Sequence, residues 1–420
     1  MGIKSTNRQR WIGVFSIFIV IIVAFMDRMN VSVLITNREF LSHFGISGNK
    51  VAMGQLMSAF LFVYGISALF LSSILEAFLG VRKGYIVCIA IWAAATVISP
   101  IAGSFSILLF LRVILGMSEG PVYSLKTMYV NDHFKAHERG KPNALATIGA
   151  SLGIALGVPL TTYLVYQFNW QISFYIIGGI NLLIGLPLII LFVPEKVDQE
   201  KGVAQEKGGY LARLGNTVRL ALATPGLVWF MVIQTAHQSY LWGVSSWLPS
   251  YLLQEKGFSI KSMGILSSLP FLVSLCASLL GGVIVDRMAK QKMAGFFTIG
   301  GLLTAMTIAL AIHVPGRMLC VLLLILAQGF WGIQSPAIPT TLQLTADRKS
   351  VGSAYGMVNG IGNLLSSFVP AAMGALIGLS ATGGFARGFS ALIGLELLVA
   401  FVGLRLVMHK RMKAKMAENE

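Results

Sequence analysis

Apolar runs of about twenty residues recur from one end of the chain to the other, separated by short breaks of Gly, Pro or charged residues. A helix crossing the hydrocarbon core of a bilayer needs about 20 such residues, and by that length the pattern predicts about twelve spans. They start near Trp11, Val51, Gly84, Ser104, Asn143, Ile172, Gly226, Ile260, Lys292, Gly316, Val351 and Phe385. The first run follows Lys4, Arg8 and Arg10, carries Asp27 and Arg28 inside it and lacks a small-residue cleavage site. It therefore reads as a retained helix and not as a signal peptide. One long polar stretch, 194–224, interrupts the series with Pro, Gly, Lys, Glu and Gln, and reads as a linker. The expected architecture is an all-α membrane protein with twelve transmembrane helices in two six-helix bundles, 1–193 and 225–420.

The halves look repeated. Met53-Gly54 recurs as Met263-Gly264, Ser58 as Ser268, Glu76 as Asp286, Gly149 as Gly360 and Val158-Pro159 as Val369-Pro370, all at a separation near half the chain. Parallel repeats of this kind place a substrate site at their interface near mid-membrane.

Composition agrees: of 420 residues, 55% are hydrophobic and only 11% charged, with a mean hydropathy of +0.77. An ordinary soluble domain carries about 25% charged residues, so a water-soluble globule is excluded. The formal charge of +16 does not point to nucleic acid, because the basic residues lie between apolar stretches and not on one solvated face. They orient the chain instead. Arg82 with Lys83, Lys135 with Arg139 and Lys141, Arg287 with Lys290 and Lys292, Arg348 with Lys349, and Lys410 to Lys415 fall on one side with the N-terminus. By the positive-inside rule both termini and the 194–224 linker are cytoplasmic. Cys88, Cys276 and Cys320 sit in apolar runs without CxxC or His spacing, so neither a disulfide framework nor a zinc site is built from them. No GxxxxGK[ST], HExxH or GxSxG occurs, and neither a cofactor, a metal nor an enzymatic activity is expected.

Ionisable side chains deep in a membrane helix cost roughly 2.5–3.5 kcal/mol even on the mild insertion scale and so demand a reason. Here they are Asp27, Arg28, Arg112, Glu119, Lys126 and Glu396. Counting along antiparallel first and fourth helices at about 1.5 Å per residue puts Asp27, Arg28 and Arg112 at one depth. An Asp27–Arg112 pair is then possible, which leaves Arg28 available for an anion. Glu119 follows Arg112 by two turns on the same face with no cation one turn away in sequence, and such a buried carboxyl can carry a proton. The competing reading is that these groups only pair and hold helices together. Lys126 near a helix end reads as a headgroup contact and Glu396 as a structural residue; Glu76 and Asp286, at helix ends, read as gating or capping groups.

The second half lacks that cluster. Its interior polar residues are Gln234, His237, Gln238, Gln328, Gln334, Asn359 and Asn363, with Tyr240, Trp242 and Trp331 among them. Neutral donors and acceptors of this kind suit hydroxyl groups on a ligand, or else serve as helix-to-helix hydrogen bonds. Gly149, Gly153 and Gly157, at four-residue spacing, permit close helix approach.

Several segments resemble the anion:cation symporter branch of the major facilitator superfamily: FMDRMNVSV (25–33), LRVILGMSEGPVYS (111–124), HERGK (137–141), WLPSYL (247–252), SSLPFL (267–272), GGVIVDR (281–287) and NGIGNLLSSFVP (359–370). The likeness runs in order over nearly the whole chain. It implies proton coupling by Asp27 and Glu119, an Arg112–Asp27 pair, a substrate carboxylate on Arg28, and a site lined by Tyr64 and by Asn359 or Asn363. Phe25 departs from the Tyr usual in the family, and SSILEAFLGVRK replaces the usual GxLADRxGxRK. Glu76 is thereby displaced by one position, while Asp286 and Arg287 keep the second-half gating motif. The expected function is proton-coupled import of a small organic anion by alternating access, from an inner membrane, as a monomer among lipids. A sugar acid is favoured over an aromatic acid. An exporter or antiporter, or a membrane sensor that binds without moving its ligand, would share many of these contacts.

Overall fold

The computed structural model describes residues 7–134, 140–194, 219, 221–289, 292–343, 345–346, 351–379 and 384–418. The 194–224 linker falls almost entirely outside them, as do the basic residues at 135, 139, 290, 348 and 349 and the side chains of Glu76 and Asp286.

The described residues form α1 (Asn7–Leu34), a short α2 (Arg38–His43), α3 (Lys50–Phe78), α4 (Gly80–Ile98), α5 (Phe105–Glu119), α6 (Val122–His133), α7 (Gly140–Gln167), α8 (Trp170–Ile180) and α9 (Leu186–Phe192). The series continues with α10 (Leu227–Ser250), α11 (Ile260–Leu266), α12 (Leu269–Arg287), α13 (Met293–His313), α14 (Arg317–Gln334), α15 (Ala337–Gln343), α16 (Val351–Ser366), α17 (Val369–Gly378) and α18 (Ala386–Glu418). Neighbouring helices merge into single crossings: α5 with α6, α8 with α9, α11 with α12, α14 with α15, and α16 with α17. The result is a twelve-helix membrane fold. Eleven of its crossings are long and apolar enough to span a bilayer by length and composition. The twelfth, α10, has the length, with 24 residues. Gln234, Thr235, His237, Gln238 and its serines dilute its hydropathy.

Starts and breaks follow local chemistry. Ser104, Asn169 and Ser259 each accept a hydrogen bond from the backbone N–H three residues on, at Ile107, Ile172 and Ser262, and so fix the ends of α5, α8 and α11. Pro121 cannot donate a backbone hydrogen bond, and the fourth crossing divides there. A five-residue π-helical turn at Asn181–Gly185 interrupts the sixth crossing, and another at Tyr251–Glu255 ends the seventh.

The chain divides into two compact units. The first contains residues 1–206, 245–268 and 370–374; the second contains 207–244, 269–369 and 375–420. Within the first, α1 packs along α7 and α3 along α5. The segments from later in the chain are tied in by Lys50 Nζ donating to Gln254 Oε1 (2.6 Å), Trp247 Nε1 donating to the Pro370 carbonyl (2.9 Å) and the Ala371 N–H donating to Ser58 Oγ (3.1 Å). Within the second, α13 packs along α18 and α14, and α12 along α14.

The Gly149, Gly153 and Gly157 stripe of α7, whose spacing permits close helix approach, faces α1. A Cβ on Gly153 would lie 2.5 Å from both the Ile22 carbonyl oxygen and the Phe25 Cβ. Backbone cannot yield there as a side-chain tip would. Gly153→Ala should therefore cost about 1–3 kcal/mol, read as a lowered Tm of the purified protein, whereas Gly179→Ala, with nothing within 4 Å of the added atom, should leave Tm near wild type. Equal Tm values for the two variants would show that α1 moves freely off α7.

Candidate functional site

Adjacent residues of an α-helix point about 100° apart, so Asp27 and Arg28, though neighbours, serve different partners. Asp27 turns to α4, where the Thr96 hydroxyl donates to its Oδ2 at 2.5 Å. Its other oxygen is buried without a hydrogen-bond partner. Arg28 turns to α5, where its Nε donates to Glu119 Oε2 at 2.8 Å. Both side chains of that ion pair are sealed from solvent, at 2% and 0% exposure. Aromatic rings complete the surroundings of the guanidinium: Phe25, Tyr64 and Phe60 lie 4.1, 4.5 and 5.2 Å from its Cζ to ring centre.

Arg112, also buried, donates from Nε to the Leu56 carbonyl oxygen at 3.2 Å and stands 4.8 Å over the Phe60 ring. Its Nη2 has no partner. Close approach of α5 to α3 makes this possible: a Cβ on Gly116 would lie 2.3 Å from the Phe60 carbonyl oxygen. Two guanidinium groups and two carboxyl groups are thus gathered from α1 and α5, with aromatic and hydroxyl support from α3 and α4.

This corrects the expected pairing. No ion pair joins Asp27 and Arg112 among the described residues; Glu119 is partnered, and by Arg28. Counting residues placed the groups at a common depth, but did not determine which face of α1 meets α5. Thr96 and Phe60 were missed, because a lone Thr or Phe in an apolar run carries no signal of its own.

The second unit holds its polar residues as amide pairs and as isolated groups. Gln234 and Gln238, one turn apart on α10, donate to Asn359 and Asn363, one turn apart on α16, at 3.2 and 3.0 Å. Trp331 stacks on His237 with ring centres 4.1 Å apart, donates from Nε1 to the His237 carbonyl oxygen, and lies 6.0 Å from Tyr240. Gln334 turns to α13, where a Cβ on Gly300 would meet its side chain and Thr304 is its distant hydrogen-bond partner at 3.5 Å. Gln328 is buried with both amide atoms unpartnered. Arg287 is exposed at the end of α12, and Lys126 is half-buried beside the Tyr123 ring at 5.7 Å.

The sequence matches the Major Facilitator Superfamily over residues 17–370. The chain belongs to that superfamily. Among its relatives, the D-galactonate transporter of Escherichia coli O6:H1 is 27% identical, covering 88% of this chain and 90% of that one. A Bacillus subtilis (strain 168) protein named "Probable galactarate/D-glucarate transporter GudP" is 26% identical, covering 99% and 96%. Among solved structures, the inward-facing, unoccupied form of a bacterial homologue of the human lysosomal transporter Spinster superposes with a TM-score of 0.78 at 14% identity, covering 98% of this chain and 99% of that one. This last likeness shows the fold. The major facilitator chain described here is a multi-pass membrane protein of a transporter superfamily, and Asp27, Arg28, Arg112 and Glu119 lie within the matched region.

Proposed function

We propose that the protein imports a sugar acid (an aldonate, aldarate or uronate) together with protons, by alternating access across an inner membrane. In this reading two six-helix halves, 1–193 and 225–420, are joined by a cytoplasmic linker at 194–224, both termini are cytoplasmic, and the carrier works as a monomer. The observation that carries the proposal is the buried Arg28–Glu119 pair beside an Arg112 whose Nη2 lacks a partner. A guanidinium suits a ligand carboxylate, because its planar fork matches it in two parallel hydrogen bonds. Taking Arg28 displaces Glu119, and a carboxylate left buried beside a second anion is strongly unfavourable. A proton on Glu119 removes that conflict. Ligand and proton then bind better together than apart, which is the positive linkage that symport requires. An antiporter would need the opposite sign.

Asp27, held by Thr96 and with its second oxygen unpartnered, is assigned to the same proton coupling. Arg28, Arg112 and Tyr64 are assigned to the carboxylate end of the ligand. Gln238, Tyr240, Trp331, Gln334, Asn359 and Asn363 are assigned to its hydroxyl groups, and Glu76, Asp286 and Arg287 to gating. The names of the relatives support a sugar acid.

A specific observation favours a second reading. The three rings around Arg28 offer an apolar wall that suits an aromatic acid, and Phe25 supplies no hydroxyl. Proteoliposomes separate the two readings: an imposed acid-outside gradient should drive accumulation of labelled D-galactonate, with competition by galactarate, glucarate or glucuronate. Inhibition by hydroxyphenylacetate alone would establish the aromatic reading. Counterflow without accumulation under the gradient would refute proton coupling.

A further inference from the structure

Among the described residues, the second unit buries one carboxyl, Glu396. Glu396 stands ten residues into α18, about 15 Å along a span that crosses roughly 30 Å of hydrocarbon, and so near its middle. Its side chain is 0% exposed, and neither carboxylate oxygen has a hydrogen-bond partner. Among the described residues no cation is near it in sequence. On α18 itself Arg387 and Arg405 each lie nine residues away, about 13 Å along the axis. The helix packed most closely on this face, α13, has its backbone against that of Glu396 at Gly301, where an added Cβ would meet the Glu396 carbonyl oxygen at 2.7 Å. It brings no ionisable side chain before His313 at its end. From α14 there is none after Cys320, and from α15 none. On α12 the described ionisable side chains are the exposed Cys276 and Arg287. From α10 come His237 and Tyr240.

Tyr240 Oη, His237 Nε2 and Gln334 Oε1 are buried without partners, like both oxygens of Glu396. Tyr240 is within 6.0 Å, ring to ring, of the Trp331 that stacks on His237. Buried polar groups in native proteins nearly always find a partner, water included. A fixed carboxylate at this depth without cation or donor is very unfavourable. A metal cation would need a shell of six or more oxygens, and no cluster of acidic, His or Cys side chains able to hold one occurs among the described residues. A proton needs one oxygen.

We propose that Glu396 is a second proton-binding carboxyl, in the second unit. The proton adds to a carboxylate oxygen and returns to water or to the next acceptor, with no other bond changed. The inference stands apart from the assignment of Glu119. With carboxyls of this kind in different units, the number of protons moved per cycle is not set by Asp27 and Glu119 alone.

Infrared difference spectroscopy of the purified full chain in lipid nanodiscs, acid minus alkaline and without any substrate, tests it. Side-chain 13C-labelled glutamate should shift a carboxylic-acid carbonyl band in the wild type. That band should persist in Glu119→Gln and vanish in Glu396→Gln, and Glu396→Gln should take up one proton fewer per chain across the titration. Superimposable spectra and equal proton counts for wild type and Glu396→Gln would overturn the proposal. So would a Glu396 band that answers to sodium at constant pH but not to pH. Should Glu396→Gln fail to fold, Glu396→Asp in the same glutamate-labelled background decides: loss of a second pH-dependent labelled band that Glu119→Gln leaves unaffected supports the proposal, and its absence from the wild type or its persistence in Glu396→Asp ends it. Loss of the Glu119 signal alone would count against the proposed coupling and leave Glu396 standing.

Discussion

Glu119→Gln should abolish gradient-driven accumulation while leaving binding and exchange of the substrate intact. Glutamine mimics the protonated carboxyl in shape and charge but has no proton to release, so the carrier should bind its ligand at any pH and return with it still held. The wild-type geometry sharpens this expectation. With Glu119 neutralised, the 2.8 Å charge-assisted bond from Arg28 becomes a weaker contact to an amide oxygen, and Arg28 is freer to meet a ligand carboxylate. Binding of D-galactonate by the purified variant should therefore be at least as tight as in wild type and lose most of its pH dependence. Counterflow in liposomes loaded with unlabelled D-galactonate should proceed under conditions in which net uptake is zero. Accumulation at the wild-type level under an acid-outside gradient would remove Glu119 from the coupling route and leave Asp27 as the carboxyl to examine.

Much of the fold was legible because a bilayer imposes a length on apolar runs, and the starts inferred at Trp11, Ser104, Ile260 or Lys292 fall within a few residues of the observed helix ends. The irregular turns were harder to see. The π-helical turns at Asn181–Gly185 and Tyr251–Glu255 shift backbone hydrogen bonds without leaving a mark in side-chain hydrophobicity. In the site, the residue types were legible, since any charge in an apolar run stands out, whereas the pairing was not. Asp27 and Arg28 differ by one step along α1, and only the rotational setting of α1 against α4 and α5 decides that the first meets Thr96 and the second meets Glu119. That setting depends on packing, including the contact of Gly153 with Ile22 and Phe25, which one sequence read alone does not reveal. The amide pairing of Gln234 and Gln238 with Asn359 and Asn363 was half visible, as two polar residues one turn apart on each of two helices.

Arg28 offers the second large effect, and its variants separate recognition from stability. Lysine keeps the positive charge but not the planar fork, so Arg28→Lys should retain an ion pair with Glu119 and a folded protein. It should weaken D-galactonate binding by about 1.5–3 kcal/mol, a loss of roughly tenfold to a hundredfold or more in affinity. Arg28→Ala does something further: it strands the Glu119 carboxylate in a site with no exposure to water, and removing one member of a buried pair costs about 3–5 kcal/mol of stability. Adding Glu119→Gln to Arg28→Ala takes the stranded charge away, so the double variant should regain a good part of the lost Tm while remaining unable to bind substrate. The non-additivity of this cycle measures the coupling between the two groups directly. If the two single variants simply added in Tm, the pair would be contributing nothing as a pair. If Arg28→Lys and Arg28→Ala both kept wild-type affinity, the substrate carboxylate would belong to Arg112, whose unpartnered Nη2 already offers it a donor.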